Sequence, residues 1–162
     1  MKSDIDSEGQ GLEEKSDRFR SICHQHGLNV TPQRVAIYRE LISSREHPSA
    51  TLIYRRIKKY FPNISLATVS NTLLTFSKIG LARIVGFSGD PKRFDPRLQL
   101  HHHFRCIRCG RIIDFHNDVY DKIEVPVVIK KKFVVLEKTV HLQGLCDECR
   151  VNGNELERFS GS

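Results

Sequence analysis

The sequence predicts an α+β fold, with a helical first half and a second half made mainly of short strands. Apolar residues recur at helical spacing behind N-capping residues up to Gly80, and strand-like segments separated by turns follow. Two Cys-x-x-Cys pairs lie in the second half of the 162-residue chain. We predict one domain at 18–96 and another at 97–150, between flexible tails at 1–17 and 151–162.

A first helix is predicted from about Glu14 to His26, and it ends at Gly27, a residue typical of helix C-termini. The polar, acidic residues before it favour a mobile tail. Cys23 falls in this helix beside apolar residues. We interpret it as a small buried residue.

Three further helices begin at capping residues. Thr31 precedes Pro32 at the first helical position, and Ser49 opens the next helix. Ser65 caps a fourth helix, predicted over Leu66–Ile79. The apolar stripe predicted for the third helix is Leu52, Ile53, Ile57, Tyr60 and Phe61.

The fourth helix has two different faces. Its predicted buried face, at helical spacing, is Val69, Leu73, Phe76 and Ile79. The opposite face is Thr68, Ser70, Asn71, Thr72 and Thr75. These side chains are short, polar and uncharged, as a helix requires if it is to enter a DNA groove and hydrogen-bond to base edges.

Two strands, about Ala82–Phe87 and Lys92–Asp95, are predicted on either side of a Gly-Asp-Pro turn. Helices followed by such a hairpin form a winged helix. In that fold the fourth helix enters the major groove, and Lys92 and Arg93 on the wing reach phosphates.

Charge is distributed unevenly along the chain. Residues 1–17 hold six acids and two bases, residues 18–100 hold fourteen bases and four acids, and residues 101–162 hold ten bases and nine acids. The basic middle segment is typical of a nucleic-acid-binding half. On charge alone, a solvated basic surface explains it equally well.

Four of the five cysteines form two identical pairs. Cys106 and Cys109 form the first, and Cys146 and Cys149 the second. Four thiolates close a tetrahedral zinc site and leave no position for water or substrate, so we predict structural zinc. Redox or disulfide chemistry is the alternative.

The segments around these pairs are predicted to be strands at Phe104–Cys106, Arg111–Phe115 and Phe133–Leu142, with a short helix near Asp118–Glu124. The apolar and then basic run at 125–132 is interpreted as a strand edge followed by a solvated turn.

His101 and His103 are separated by one residue, so on a strand their side chains project to the same side. Asp114 follows on the next predicted strand. Imidazoles with carboxylates suit Fe(II), Mn(II) or Zn(II). The alternative is a solvated histidine run.

Other classes of protein are disfavoured. No apolar stretch is long enough to span a bilayer, and the first residues lack the regions of a signal peptide, so we expect a soluble cytoplasmic protein with reduced thiols. A zinc hydrolase or deaminase needs an open coordination position and a nearby Glu, and neither is evident, so we expect no enzyme. A zinc-ribbon module without DNA contact does not explain the capped helices.

Several motifs together resemble the ferric uptake regulator (Fur) family over residues 18–150. They are Thr31-Pro32-Gln33-Arg34, His47-Pro48, Ile53-Tyr54, Ser65-x-Ala67-Thr68-Val69, Gly80-Leu81, Arg93-Phe94-Asp95, the His-x-His before Cys106-x-x-Cys109-Gly110, and Cys146-x-x-Cys149. The resemblance implies a homodimeric, metal-dependent transcription regulator, with an N-terminal winged helix and a C-terminal α/β dimerisation domain that carries the structural zinc.

The resemblance also implies site residues. The sensing metal, Fe(II) or Mn(II), would be held by His47, Asp95, His101, His103 and Asp114. The residues expected to contact double-stranded DNA, an AT-rich inverted repeat, are Arg34, Thr68, Ser70, Asn71, Lys92 and Arg93.

Within the family, two aspartate ligands and Asn71 favour the peroxide-sensing repressor branch, in which oxidation of His47 and His101 would release the repressor. Iron sensing and zinc or manganese sensing are the alternatives. Ser70 replaces a usual tyrosine, and Lys138 stands where many relatives have a histidine ligand. The remaining candidates for a rearranged third metal site, which we interpret as ordinary surface residues, are His102, Asp121 and His141.

Overall fold

The computed structural model describes residues 3–44, 46–86 and 89–151, with side chains described from residue 14 onward. The chain divides into two compact units, Met1–Leu98 and Gln99–Ser162. Of the predicted C-terminal tail, residues 152–162 lie outside the described residues.

The first unit contains four helices among its described residues: α1 (Ser3–Gln25), α2 (Pro32–Ser43), α3 (Ala50–Ile57) and α4 (Leu66–Lys78). The predicted caps of α2, α3 and α4 are confirmed, because each capping hydroxyl accepts a backbone N–H three residues ahead. The donors are Arg34 to Thr31 at 3.3 Å, Leu52 to Ser49 at 3.2 Å and Thr68 to Ser65 at 3.0 Å.

The predicted start of the first helix at Glu14 is wrong, because α1 begins at Ser3. Most of the predicted tail at 1–17 is therefore helical. A polar, acidic composition therefore does not by itself exclude a helix.

A hairpin follows the helices, with strand β1 (Arg83–Val85) antiparallel to β2 (Arg93–Asp95). The first strand is shorter than the predicted Ala82–Phe87, and Phe87 lies outside the described residues. A backbone bridge between Ser49 and Arg93 joins β2 to the start of α3. This bridge holds the segment before α3 against the strand.

The core of this unit is built from the predicted apolar faces of its helices. Phe19 stacks on Tyr38 with ring centroids 4.5 Å apart, and Phe76 meets Phe19 edge-on at 5.6 Å. Cys23 is fully buried, and burial raises the pKa of its thiol, which agrees with a packing role. Tyr60 was expected in the apolar stripe of α3 but is 65% exposed, because α3 ends at Ile57.

The second unit contains a three-stranded sheet in the order β4-β3-β5. Strand β3 (His102–Cys106) is antiparallel to β4 (Ile112–Phe115) and parallel to β5 (His141–Gly144). The described helices of this unit are α5 (Asp118–Asp121), α6 (Val127–Lys132) and α7 (Asp147–Val151). None of the helices in the described residues is long and apolar enough to cross a membrane.

Two predictions for this unit are wrong. Residues 125–132 were expected to form a strand edge and a turn, but α6 forms within them. The last turn of α6 holds three lysines, where the helix dipole favours cations. The strand predicted over Phe133–Leu142 is confined to its last two residues, within β5, and residues 133–140 have no regular structure. A β-prone sequence forms a strand only where a neighbouring strand is available for pairing, and this segment pairs with none in the described part of the chain.

Candidate metal centres

The four paired cysteines form one cluster, called here the thiolate cluster. The Sγ atoms of Cys106, Cys109, Cys146 and Cys149 all lie within 4.8 Å of one another, and all are free thiols. Cys106 ends β3 and Cys146 precedes α7, and the parallel pairing of β3 with β5 brings these ends together.

Backbone geometry supports the cluster. Gly110 closes the first turn with a φ of 71°, a conformation that costs glycine little. The Ile107 N–H donates to the Gly144 carbonyl at 2.9 Å. A Cβ on Gly144 would lie 3.3 Å from the Phe104 ring, so a side chain there would require this ring to shift.

The cluster is arranged to hold negative charge. Although burial raises the pKa of Cys106, backbone N–H groups of Cys109, Cys146 and Arg108 lower it to about 6. Burial and the neighbouring thiols raise the pKa of Cys149 to about 12. Four thiolates at this spacing therefore require a cation, and an all-sulfur tetrahedral set suits structural zinc.

A second group, called here the imidazole–carboxylate cluster, consists of His101, His103 and Asp114. The β3–β4 register places His103 opposite Asp114. The Nε2 atoms of His101 and His103 lie 3.7 and 3.5 Å from Asp114 Oδ1, and both rings are buried. Alternation along the strand thus puts both imidazoles on the aspartate side, as predicted.

One imidazole is oriented by a backbone carbonyl. The Nδ1 atom of His101 lies 2.7 Å from the Gln99 carbonyl oxygen, which can only accept a hydrogen bond. Nδ1 therefore donates this bond, and Nε2 is the nitrogen that faces Asp114. An outer hydrogen bond of this kind is how proteins orient metal-binding histidines.

The first unit contains a related pair, the His47–Asp95 pair. His47 Nε2 lies 3.5 Å from Asp95 Oδ2, and both side chains are buried. The φ of His47 is 46°, which is unusual for a residue other than glycine. This conformation is held by Arg93, which donates to the His47 carbonyl at 3.3 Å, and by the Phe94 N–H, which donates to Pro48 at 3.1 Å. Strain maintained in this way is typical of functional positions.

His102, the middle histidine, has a different environment. Its Nδ1 accepts the Val140 N–H at 3.2 Å, and its Nε2 lies 3.1 Å from Asp121 Oδ1. The prediction that it is an ordinary surface residue is wrong, because it is only 1% exposed. Lys138 donates to the Asp121 and Ile123 carbonyls at 2.9 and 2.7 Å, and the His141 ring packs edge-on against His103 at 5.5 Å.

The predicted DNA-contacting residues lie in several environments of the first unit. Thr68, Asn71 and Lys92 are exposed and Ser70 is half-buried. Thr72, expected on the polar face of α4, is 7% exposed and belongs to the packed side. Arg34 donates to the Asn29 carbonyl at 2.7 Å and so steadies the turn before α2.

Comparison with known proteins identifies the family. The sequence model of the Ferric uptake regulator family matches residues 25–143. The chain belongs to the ferric uptake regulator family. It is 37% identical over 154 residues to the "Peroxide-responsive repressor PerR" of Staphylococcus epidermidis, covering 95% of this chain and 100% of that protein. It is also 37% identical over 150 residues to the protein of that name in Staphylococcus aureus Mu50, covering 93% and 99%.

Solved structures agree with the family. The ferric uptake regulator Fur of Helicobacter pylori, described as having three functional metal binding sites, matches with a TM-score of 0.73 and 25% identity over 86% of this chain and 93% of that chain. The Vibrio cholerae ferric uptake regulator matches with a TM-score of 0.63 and 28% identity over 76% and 96%. The predicted α+β fold is confirmed by these matches.

Sequence reasoning missed two arginines beside the candidate sites of this family member. Arg97 lies with its Nε 3.5 Å from Asp95 Oδ1, which also accepts the Arg97 N–H at 2.9 Å. Arg111 contacts both residues between Cys146 and Cys149. Each arginine lies two residues after a candidate ligand in the sequence, Arg97 after Asp95 and Arg111 after Cys109. For Arg111, the two acidic residues inside the second Cys-x-x-Cys also indicated a partner.

Proposed function

We propose that this chain is a metal-dependent, DNA-binding repressor that senses peroxide through oxidation of histidine ligands. The observation that carries the proposal is the gathering of buried imidazole nitrogens and carboxylate oxygens without any thiolate among them. Such donors suit Fe(II), which reacts with peroxide, or the less reactive Mn(II) better than a soft metal. Near-full-length similarity to peroxide-responsive repressors supports the same reading.

In this proposal, one regulatory ion takes ligands from the imidazole–carboxylate cluster and from the His47–Asp95 pair. These residues belong to different units of the chain. Metal binding would then favour one arrangement of the two units. An ion that binds one arrangement more tightly shifts the population toward it, which links metal occupancy to DNA affinity.

Histidine is the expected target of oxidation. Fe(II) held by these residues would catalyse the reaction, in which peroxide transfers one oxygen to a ring and leaves as water while the ring is oxidised by two electrons. The resemblance to the peroxide-sensing branch points to the imidazole rings of His47 and His101 as the targets, and each ring would gain one oxygen. An oxidised ring binds metal poorly, so the DNA-competent arrangement would lose its support.

The thiolate cluster is assigned to structural zinc. Four sulfur ligands leave no open coordination position, so this ion would serve the fold rather than chemistry. Because the cluster joins turns 37 residues apart, from Cys109 to Cys146, zinc would stabilise the second unit as a whole.

DNA binding is assigned to the winged helix of the first unit, with α4 reading an AT-rich inverted repeat and Lys92 and Arg93 on the wing. An inverted repeat requires a dimer, because two recognition helices must meet two half-sites. Exposed apolar side chains in the second unit support its assignment to dimerisation. They include Val119, Val127, Val128, Phe133, Val134 and Leu136, each more than 60% exposed.

Iron sensing is the second candidate, favoured by the structural match to the Helicobacter pylori ferric uptake regulator. Peptide mass spectrometry after mild peroxide treatment separates the two. A peroxide sensor should gain one oxygen at His47 or His101 in the Fe(II)-loaded protein, lose DNA binding in parallel, and stay unmodified when loaded with Mn(II). Intact histidines with DNA binding that follows free Fe(II) would identify an iron sensor instead.

A further inference from the structure

Arg111 connects the two cysteine-bearing turns. It follows Gly110, directly after the first pair, and its backbone is fixed because its carbonyl accepts the Cys106 N–H at 2.8 Å. Its Nη1 donates to Glu148 Oε1 at 3.0 Å and its Nη2 donates to Asp147 Oδ1. Asp147 and Glu148 are the two residues between Cys146 and Cys149, so one guanidinium binds both residues of the opposite turn.

These contacts do not resemble an isolated surface ion pair. Asp147 and Glu148 are largely exposed, and an exposed pair alone contributes little to stability. A planar guanidinium bound to two carboxylates at once is more restricted, because both prongs of the fork are used. The Nε atom of Arg111 is buried, so this part of the guanidinium is shielded from solvent.

Because Arg111 binds Asp147 and Glu148, its positive charge lies beside the residues that adjoin Cys146 and Cys149 in sequence. A second arginine, Arg108, donates to the Cys149 carbonyl at 3.1 Å. Four thiolates outweigh the charge of one dication, and the two acids of the second turn add further negative charge, so cations are needed around the cluster.

We propose that Arg111 is a positioning residue that clips the Cys146–Cys149 turn onto the Cys106–Cys109 turn and slows the loss of zinc. The proposal rests on the assignment of zinc to the thiolate cluster. It gives a peroxide sensor a way to keep its structural thiolates bound to metal while its histidines react. Zinc-bound sulfur is less available as a free thiolate for oxidation.

The test measures the rate of zinc transfer from purified full-length protein to a chromogenic chelator, after the zinc content of the wild type has been determined. Arg111→Gln should release zinc about tenfold faster, a typical effect of losing an outer-shell partner. Arg111→Lys keeps the charge without the fork and should release zinc at an intermediate rate. Arg150→Gln is the matched control. Arg150 is an exposed arginine of α7, the helix that carries Asp147 and Glu148, and its variant should release zinc at the wild-type rate.

The dependence of zinc release on salt tests whether Arg111 acts through its charge or through packing. At high ionic strength the difference between Arg111→Gln and the wild type should shrink, since screening weakens exposed charge interactions. The double variant Asp147→Asn/Glu148→Gln retains Arg111 but removes its anchors, and it should also release zinc faster. This variant keeps the question testable if Arg111→Gln does not fold.

Equal release rates for the wild type, Arg111→Gln and the double variant at both salt concentrations would overturn the clip. A zinc-free wild type that is folded would instead refute the zinc assignment itself. The two failures are therefore distinguishable.

Discussion

The thiolate cluster draws all four ligands from two short turns within one unit, whereas the ligands proposed for the sensing metal come from residues of both units. The first set is supported by backbone N–H groups and two nearby arginines, and the second by buried imidazoles beside carboxylates. This difference teaches how one chain can separate two metal functions. Under the proposed assignments, sulfur ligands from one unit would hold zinc permanently, and nitrogen and oxygen ligands from both units would bind the sensing metal reversibly.

The largest effect is expected at the thiolate cluster. Cys106→Ser removes a buried ligand at the end of β3 and should abolish zinc binding, because three thiolates leave the site open and weaken it greatly. We expect loss of zinc by elemental analysis together with loss of dimer by size-exclusion chromatography. Cys23→Ser is the control, since Cys23 lies in the first unit, and it should retain its zinc. A zinc-free Cys106→Ser protein that remains a stable dimer would contradict a structural role for the thiolate cluster.

The next effect is expected at the imidazole–carboxylate cluster. His101→Ala and Asp114→Ala should each weaken regulatory metal binding at least about tenfold and abolish metal-dependent DNA binding, while zinc content and the circular dichroism spectrum stay unchanged. DNA binding would be followed by fluorescence anisotropy across a Mn(II) titration. Exposed His26 offers the matched control, and His26→Ala should titrate like the wild type. Undiminished metal dependence in both cluster variants would place the sensing site elsewhere.

His47 allows its ligand role to be separated from its backbone strain. His47→Ala and His47→Gly both remove the imidazole, but only glycine adopts a φ of 46° without steric cost. Both variants should lose metal-dependent DNA binding equally, while His47→Gly should be about 1 kcal/mol more stable than His47→Ala in urea unfolding. If glycine restored DNA binding, the strained backbone rather than the ring would be the functional element.

The smallest effect is expected at the third group of candidate ligands. Asp121→Ala removes the carboxylate that lies 3.1 Å from buried His102 Nε2 and should lower the free energy of unfolding by at most about 1 kcal/mol, the range for a partly exposed ion pair. Metal content should not change, because Lys138 donates into this region and a lysine ammonium repels cations. Loss of one bound metal ion per chain in Asp121→Ala would instead show that Asp121 belongs to a third metal site.

Much of the fold was predictable from local signals. Thr31, Ser49 and Ser65 cap the predicted helices because a capping hydroxyl needs only the backbone three residues away. Cysteines with two residues between them likewise predict a turn that contributes ligands to one ion. The same local reasoning failed at 127–132, where an apolar and basic run is compatible with either a strand or a helix.

The sequence by itself determined the capped helices and the family, and it predicted which side chains would bind metal. The tertiary structure alone decided that His102 turns away from its two neighbours, that His47 takes a positive φ, and that Arg111 binds the opposite turn. The physical reason is the range of the interactions. Caps, turns and spacing act within a few residues, whereas a partner some forty residues away is available only after the strands have paired.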